Sequence, residues 1–538
     1  MKTRKLIALG LAAALGLSVV ACGNAETQGS AAKESEQSGT VESSAVQSSV
    51  VEEAKDPVTL EWWYRGNGPQ QDTEAVEEAF NELLKTYPGM EHVTVNLNVY
   101  DSANYAQAVT LAKSANQQID ILNTVGLTLA TEVEEGTYIA LDDYLAENEA
   151  LYNELPDWLW ELGSIDGSVY IVPNYQRAAN QHYMLVPKAY MDKYGDLAKF
   201  KEVFNDGEWN IEEAAALLEE FVVAVQAGEG ATHYLTPLGY CAIDADFLQK
   251  RNDSIVGSYY IKHEGSETVE HKYLTDAAVK AYEISAEWYE KGLIHPDIVG
   301  LKFNDFYKQN MMNDISFVNC FVNGAGTEEA IAANYSKQYG FDVYAIALYS
   351  NYYIGNTWGA GGNGVTAKCE NPEEAVRLIE LMTTEEGVEL YNMIVYGLEG
   401  KHYEKLDDTH IKTLEYDGTQ GGASTTYAAM KWIMGNTFHA YLNQGCVDGE
   451  NEIALDINTN PDNARSDLMG FIVKTDKITT QLEQVTAVTK EYAATLYTGG
   501  AGSDWKTYYD EFVAKLNSAG HQEILDELQS QVDAHLTK

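Results

Sequence analysis

A chain of 538 residues is longer than one ordinary domain, and 45% hydrophobic with 11% aromatic content supports a substantial core in two lobes or more. Its 82 acids against 35 lysines and arginines give a formal charge of −47. That excess excludes binding by neutralisation of nucleic-acid phosphates and docking onto anionic lipid headgroups, and it reads as a solvated exterior.

Lys2, Arg4 and Lys5 precede an apolar run from Leu6 to Ala21, the pattern of a secretory signal peptide. A membrane-spanning helix needs about 20 apolar residues, more than this run supplies. Val19-Val20-Ala21-Cys22 resembles the bacterial lipobox, with Val19 where leucine is usual. The resemblance implies removal of residues 1–21 and lipid attachment to the Cys22 thiol. Residues 22–56, rich in Ser, Glu, Gln, Ala and Gly, bury too little apolar surface to fold and read as a disordered tether.

Cys241, Cys320, Cys369 and Cys446 are widely spaced and contain no Cys-x-x-Cys, which argues against a zinc or dithiol site. One or two disulfides and isolated buried thiols are both compatible with that spacing.

From Val58 the chain alternates strand and helix. Val58–Tyr64 is β-rich and meets a turn at Arg65-Gly66-Asn67-Gly68-Pro69. Asp72 opens a helix with Val76, Phe80, Leu83 and Leu84 on one face, stopped by Pro88-Gly89. A strand over 93–99, a helix over 105–115 and a strand over 119–122 follow. This order predicts a parallel sheet with crossover helices. Ligands of such sheets sit beyond the strands' carboxyl ends, which points to Trp62, Trp63, Tyr64 and Arg65, and to Asn123 and Thr124.

Asp120-Ile121-Leu122, the stretch from Gly136 to Asp143 and the turn-strand Asp166–Pro173 together resemble the first lobe of extracellular solute-binding proteins of ABC importers. Tyr396–Tyr403 and the chain from Gly470 onward resemble large lipoprotein members from Gram-positive bacteria. The resemblance implies an α/β, two-lobed periplasmic-binding-protein-like fold of type II. Each lobe is expected to be a mainly parallel sheet flanked by helices, with hinge crossings between lobes. Lobe 1 is expected over 57–173 and 312–367, lobe 2 over 174–311 and 368–538. Within lobe 2, Asn210 with Glu213 reads as a capping box, and Asn371-Pro372 as the cap and first residue of another helix.

Signals for an enzyme are thin. Gly359–Gly364 satisfies G-x-G-x-x-G but precedes a strand-like Val-Thr-Ala, where a dinucleotide site needs a helix, so it reads as a loop beside the cleft. Asp456–Asp467 echoes a calcium loop but has Pro461 where glycine must turn and Asp467 where Glu is usual, so it reads as a polar loop. No Walker A, His-Glu-x-x-His or Gly-x-Ser-x-Gly sequence occurs. Neither a cofactor nor a metal is expected.

A sugar offers an apolar face to an aromatic ring and a rim of hydroxyls to amides and charges. The aromatics that fall where the resemblance puts the cleft are Trp62, Trp63, Tyr64, Tyr175, Trp358, Tyr427 and Trp432. Polar contacts are expected from Arg65, Asn67, Gln70, Asn123, Gln176, Arg177 and Asn319. The implied function is capture of an oligosaccharide and delivery to ABC permease subunits, by a monomer held at the outer face of the cell membrane through its lipid. A peptide or other polar solute in the same cleft is the alternative within this class, and a surface glycoside hydrolase the alternative outside it.

Overall fold

The computed structural model describes residues 55–179, 181–205, 210–240, 253–262, 267–301, 316–324, 326–348, 352–355, 361–414, 426–443, 446 and 449–537. The leader, Cys22, most of the tether, Cys241 and Trp358 lie outside the described residues.

The chain opens with β1 (Val58–Gly66), α1 (Thr73–Leu84), β2 (Val93–Asp101), α2 (Tyr105–Ser114) and β3 (Ile121–Asn123). Val76, Phe80 and Leu84 are buried on the helical period, and Leu83 is half-buried at the edge of that stripe. Both β2 and β3 pair with β1 in parallel. A short β4 (Val172–Pro173) ends this first pass.

The chain then crosses into a second core through β5 (Gln181–Pro187), whose seven residues are all buried. Two helices, α3 (Ile211–Glu229) and α4 (Asp276–Glu290), build on it. The Asn210 side chain accepts the amides of Glu212 and Glu213 at 3.0 and 3.2 Å, the expected cap of α3. Then β6 (Cys320–Gly324) and β7 (Val343–Ala347) flank β5, each antiparallel to it. The described ladders of this second sheet are therefore antiparallel, whereas the first sheet opens with two parallel ones.

The expected boundaries of 312–367 do not follow this packing. Because β6 and β7 pair with β5, residues 316–348 bury their apolar side chains in the second core with Phe221, Tyr282 and Leu218. The return to the first sheet comes with β8 (Gly362–Val365), antiparallel to both β3 and β4 in the order β2-β1-β3-β8-β4. This segment is an extended strand rather than the expected loop. A Cβ on Gly362 would stand 2.4 Å from the Val172 carbonyl oxygen and one on Gly364 2.5 Å from the Tyr138 ring, so these glycines let β8 fit between its neighbours.

Residues 368–538 are also divided. Helices α5 (Pro372–Thr383) and α6 (Val388–Tyr396) pack Leu378, Leu381, Leu390 and Ile394 into the first core with Leu60, Trp62 and Phe80. Pro372 holds the first helical position as expected, but the Asn371 side chain makes no capping bond. Next, α7 (Glu450–Thr459) takes in Asp456–Thr459, so the calcium-like stretch begins as a helical turn whose side chains radiate instead of wrapping an ion. The chain re-enters the second core with α8 (Thr479–Tyr497), α9 (Trp505–Ser518) and α10 (His521–Leu536), burying Leu496, Phe512, Leu516, Leu528 and Val532. Cys320, Cys369 and Cys446 are free thiols. No helix among the described residues is long and apolar enough to cross a membrane.

His271 lies in the second core at 2% exposure, edge-on to Tyr259 and His521 with ring centroids 5.0 and 5.5 Å away. Neither ring nitrogen has a hydrogen-bond partner among the described residues. Burial first, and then the neighbouring His521 and Lys272, push its pKa from 6.5 down to about 3. Across that window the unfolded chain binds a proton that the folded chain refuses, so stability falls as pH falls. Its contribution reaches about 1.4 kcal/mol per pH unit. Urea unfolding of His271→Phe between pH 6.5 and 4 is expected to give a flatter stability–pH profile than the parent.

Candidate functional site

Strand β1 runs two residues past Tyr64, and this decides where its aromatics go. Trp62, Trp63 and Tyr64 stand inside a strand covered on both faces, at 1, 2 and 2% exposure. Trp62 and Tyr64 pack into the first core, and Trp63 stacks on Tyr100 on the opposite face at 5.0 Å. Among the described residues, none of the three lines the cavity at this end of the sheet. Arg65, at the end of the strand, is half-exposed and does reach the site.

Beyond the carboxyl end of β3 lies a buried amide cluster. Asn363 Oδ1 accepts from Trp62 Nε1 at 3.1 Å and from Asn123 Nδ2 at 3.2 Å. Asn123 Nδ2 also donates to the Ile433 carbonyl at 2.9 Å, and Asn174 Nδ2 donates to the same oxygen. Asn123 is thus a support rather than a ligand contact. It and Asn174 hold the turn that carries Lys431 and Trp432. Tyr175 continues the seam, donating its amide to the Gly435 carbonyl at 2.9 Å and accepting Thr437 N–H at 2.7 Å. The Asn458 side chain accepts Ala178 N–H and donates to the Gln176 carbonyl, both at 2.8 Å, which fixes α7 to the same crossing segment.

These elements enclose a cavity of about 690 Å³, within the range of small-molecule sites. Its walls are the loop Thr124–Leu127, the crossing residues Asn174, Gln176 and Arg177, the turn with Lys431 and Trp432, and Glu450, Asn451 and Ala454 of α7. Phe438 completes it, braced edge-on by Tyr175 at 4.8 Å. Trp432 is 40% exposed, and the Arg65 guanidinium lies 5.9 Å from its ring centre. Asn174 Oδ1 is buried without a hydrogen-bond partner among the described residues. Burial lowers the Arg177 pKa, and the nearby Glu450 carboxylate opposes that shift. Among the described residues no group of three or more His, Cys, Asp and Glu is placed to hold a metal.

Of the residues expected at the cleft, Thr124, Gln176, Arg177 and Trp432 line this cavity, with Arg65 beside it and Tyr175 behind its wall. Tyr427 is 3% exposed and donates its hydroxyl to the Ile394 carbonyl, so it belongs to the interior. Asn67 and Gln70 both donate to the Ala428 carbonyl at 2.8 Å, fastening that segment to the sheet edge. Asn319 is fully buried in the second core, where its Oδ1 accepts Thr236 N–H at 3.1 Å. Lys431, Phe438 and the α7 residues escaped the sequence reading, because no local pattern shows that α7 folds back onto the crossing. Trp62→Ala is expected to lower stability by about 3–5 kcal/mol, as for other buried large-to-small changes. Trp432→Ala is expected to stay within about 0.5 kcal/mol of the parent. Denaturant unfolding of the two variants checks both.

A family model described as a domain of unknown function (DUF3502) matches residues 467–537. A carbohydrate ABC transporter substrate-binding protein of Streptococcus pneumoniae is 27% identical over 176 residues. That match spans 32% of this chain and 33% of the relative. The solved N-glycan transport solute-binding protein NgtS of S. pneumoniae aligns over 90% of this chain and 100% of its own at 19% identity, with a TM-score of 0.68. Its complex with Man1GlcNAc aligns over 89% and 100% at 18% identity, with a TM-score of 0.60. An extracellular solute-binding protein of Bifidobacterium longum subsp. infantis aligns over 89% and 99% at 14% identity, with a TM-score of 0.58. The chain has the two-lobed α/β fold of extracellular solute-binding proteins.

Proposed function

We propose that this chain is the lipid-anchored solute-binding component of an ABC importer, capturing an oligosaccharide in the cavity at Trp432 and delivering it to permease subunits. The observation that carries the reading is the lining. An exposed Trp432 ring and Phe438 share the lining with the side-chain amides of Asn174, Gln176 and Asn451, and the buried Asn174 oxygen has no donor among the described residues. A sugar ring covers the aromatic face, and its hydroxyls supply the donors that buried acceptors require. The carbohydrate transporter relative and the glycan complex of NgtS support the same ligand class.

In this reading residues 1–21 are removed and Cys22 carries the lipid. Residues 22–56 then tether the folded body at the outer face of the membrane of a Gram-positive type bacterium. The protein acts as a monomer and does no chemistry on its ligand. Its work is conformational. Ligand held on the first lobe is bridged by the second, and closure follows to the extent that the closed state binds it more tightly.

Thermal unfolding of the chain with neutral and acidic oligosaccharides is expected to show saturable stabilisation by one carbohydrate class, with the sugar recovered intact. Trp432→Ala is expected to weaken that binding by about tenfold or more, as for aromatic anchors elsewhere. Binding unchanged in this variant would move the site elsewhere, and conversion of the sugar would make the protein an enzyme.

A further inference from the structure

The acidic exterior gives way to positive charge at one end of the cavity. Lys431 lines it next to Trp432, and the Arg65 guanidinium lies 5.9 Å from the Trp432 ring centre. Arg65 also borders the loop on the opposite wall. A side chain built on Gly126 would meet Arg65 Cδ at 3.5 Å and Nη1 at 3.8 Å. Its Nε donates to Ser102 Oγ at 2.9 Å, which fixes the guanidinium plane and leaves the two terminal amino groups toward other partners. Among the described residues, neither Arg65 nor Lys431 has a carboxylate within ion-pair distance. The other end of the cavity is balanced, since Arg177 there faces Glu450.

We propose that the oligosaccharide taken by this cavity is acidic, with one sugar ring on the free face of Trp432 and its carboxylate directed at Lys431 and Arg65. This rests on the carbohydrate reading above. In a chain with 82 acids and 35 lysines and arginines, one cation lining this cavity and another against its exposed ring, neither with a carboxylate at ion-pair distance among the described residues, form a local exception to the acidic surface. A ligand carboxylate supplies the partner that both cations lack, and the planar guanidinium fork suits it geometrically. A neutral sugar leaves both charges uncompensated when the cleft closes and excludes water.

The test titrates the full-length chain calorimetrically with matched pairs: trigalacturonate against galactotriose, glucuronate-bearing xylotriose against xylotriose, and sialyllactose against lactose. In at least one pair the acidic member is expected to bind about tenfold or more tighter. That advantage should shrink as the screening length falls from ~10 Å at 0.1 M salt to ~3 Å at 1 M. Lys431→Gln and Arg65→Gln should each reduce the preference while leaving the melting temperature in place. A neutral sugar bound as tightly as its acidic partner, with no effect of either substitution, overturns this proposal and leaves the carbohydrate reading standing. Silence across every pair overturns the carbohydrate reading itself and this proposal with it.

Discussion

One backbone oxygen, the carbonyl of Ile433, organises the site. It is buried at the carboxyl end of the first sheet and takes the side-chain amides of Asn123 and Asn174. A buried carbonyl left without donors costs on the order of 1–3 kcal/mol, so this turn is strongly held against the sheet. The amides are in turn constrained. Asn363 receives both Asn123 and the Trp62 indole, and Trp62 is locked in the core of β1. The position of Trp432 therefore follows from a chain of contacts that begins in the interior of the first strand.

The crossings between lobes are tied by a second buried group. The Asp253 carboxylate, at 1% exposure, accepts the Tyr353 hydroxyl at 2.7 Å and the Ser466 hydroxyl at 2.5 Å. Tyr353 and Ser466 belong to the second and third crossings, whose short strands Tyr353–Ile354 and Ala464–Arg465 pair in parallel. The first crossing is joined to the third by Asn458, which holds Ala178 and Gln176 with its side chain and Arg465 with its carbonyl. Motion between the lobes must bend these three strands together, because their polar groups are shared.

The opening β1–α1–β2–α2–β3 unit was legible to within a residue or two, since each element has one unambiguous period and a turn at its end. The cap at Asn210 was legible for the same reason, being a contact between near neighbours in sequence. What local pattern cannot report is which sheet edge a later strand joins. β6 and β7 pair with a strand more than a hundred residues earlier, so 316–348 was placed in the wrong lobe, and α5 and α6 likewise. The site shows the same divide. The strand-end rule found Thr124 and Arg65, but a two-residue error in the end of β1 turned three core aromatics into apparent ligand contacts. Gln176 and Arg177 were found because they follow a recognisable crossing. Glu450 and Asn451 were not, because their helix is held at the cavity by contacts distant in sequence, Asn458 to the first crossing and Asn451 to the Phe438 and Ala440 carbonyls.

The described lining comes from the loop after β3, the first crossing, the turn at Lys431 and Trp432 and α7, with no residue of the second sheet. That asymmetry has an energetic consequence for any two-state closure. Contacts already complete on one lobe bind the open and closed forms equally and cannot shift their ratio. Trp432, Phe438 and the amides can therefore set how tightly a ligand first docks, while closure must be driven by what the second lobe adds and by charges that strengthen as water leaves. Lys431 and Arg65 are of the second kind. For the acidic sugar proposed above, these half-exposed groups would gain most in interaction strength as the cleft dries, because Coulomb attraction rises as the effective dielectric falls. A rigid neutral wall for docking and a mobile electrostatic gain for closure are then separate properties of the same few residues around Trp432.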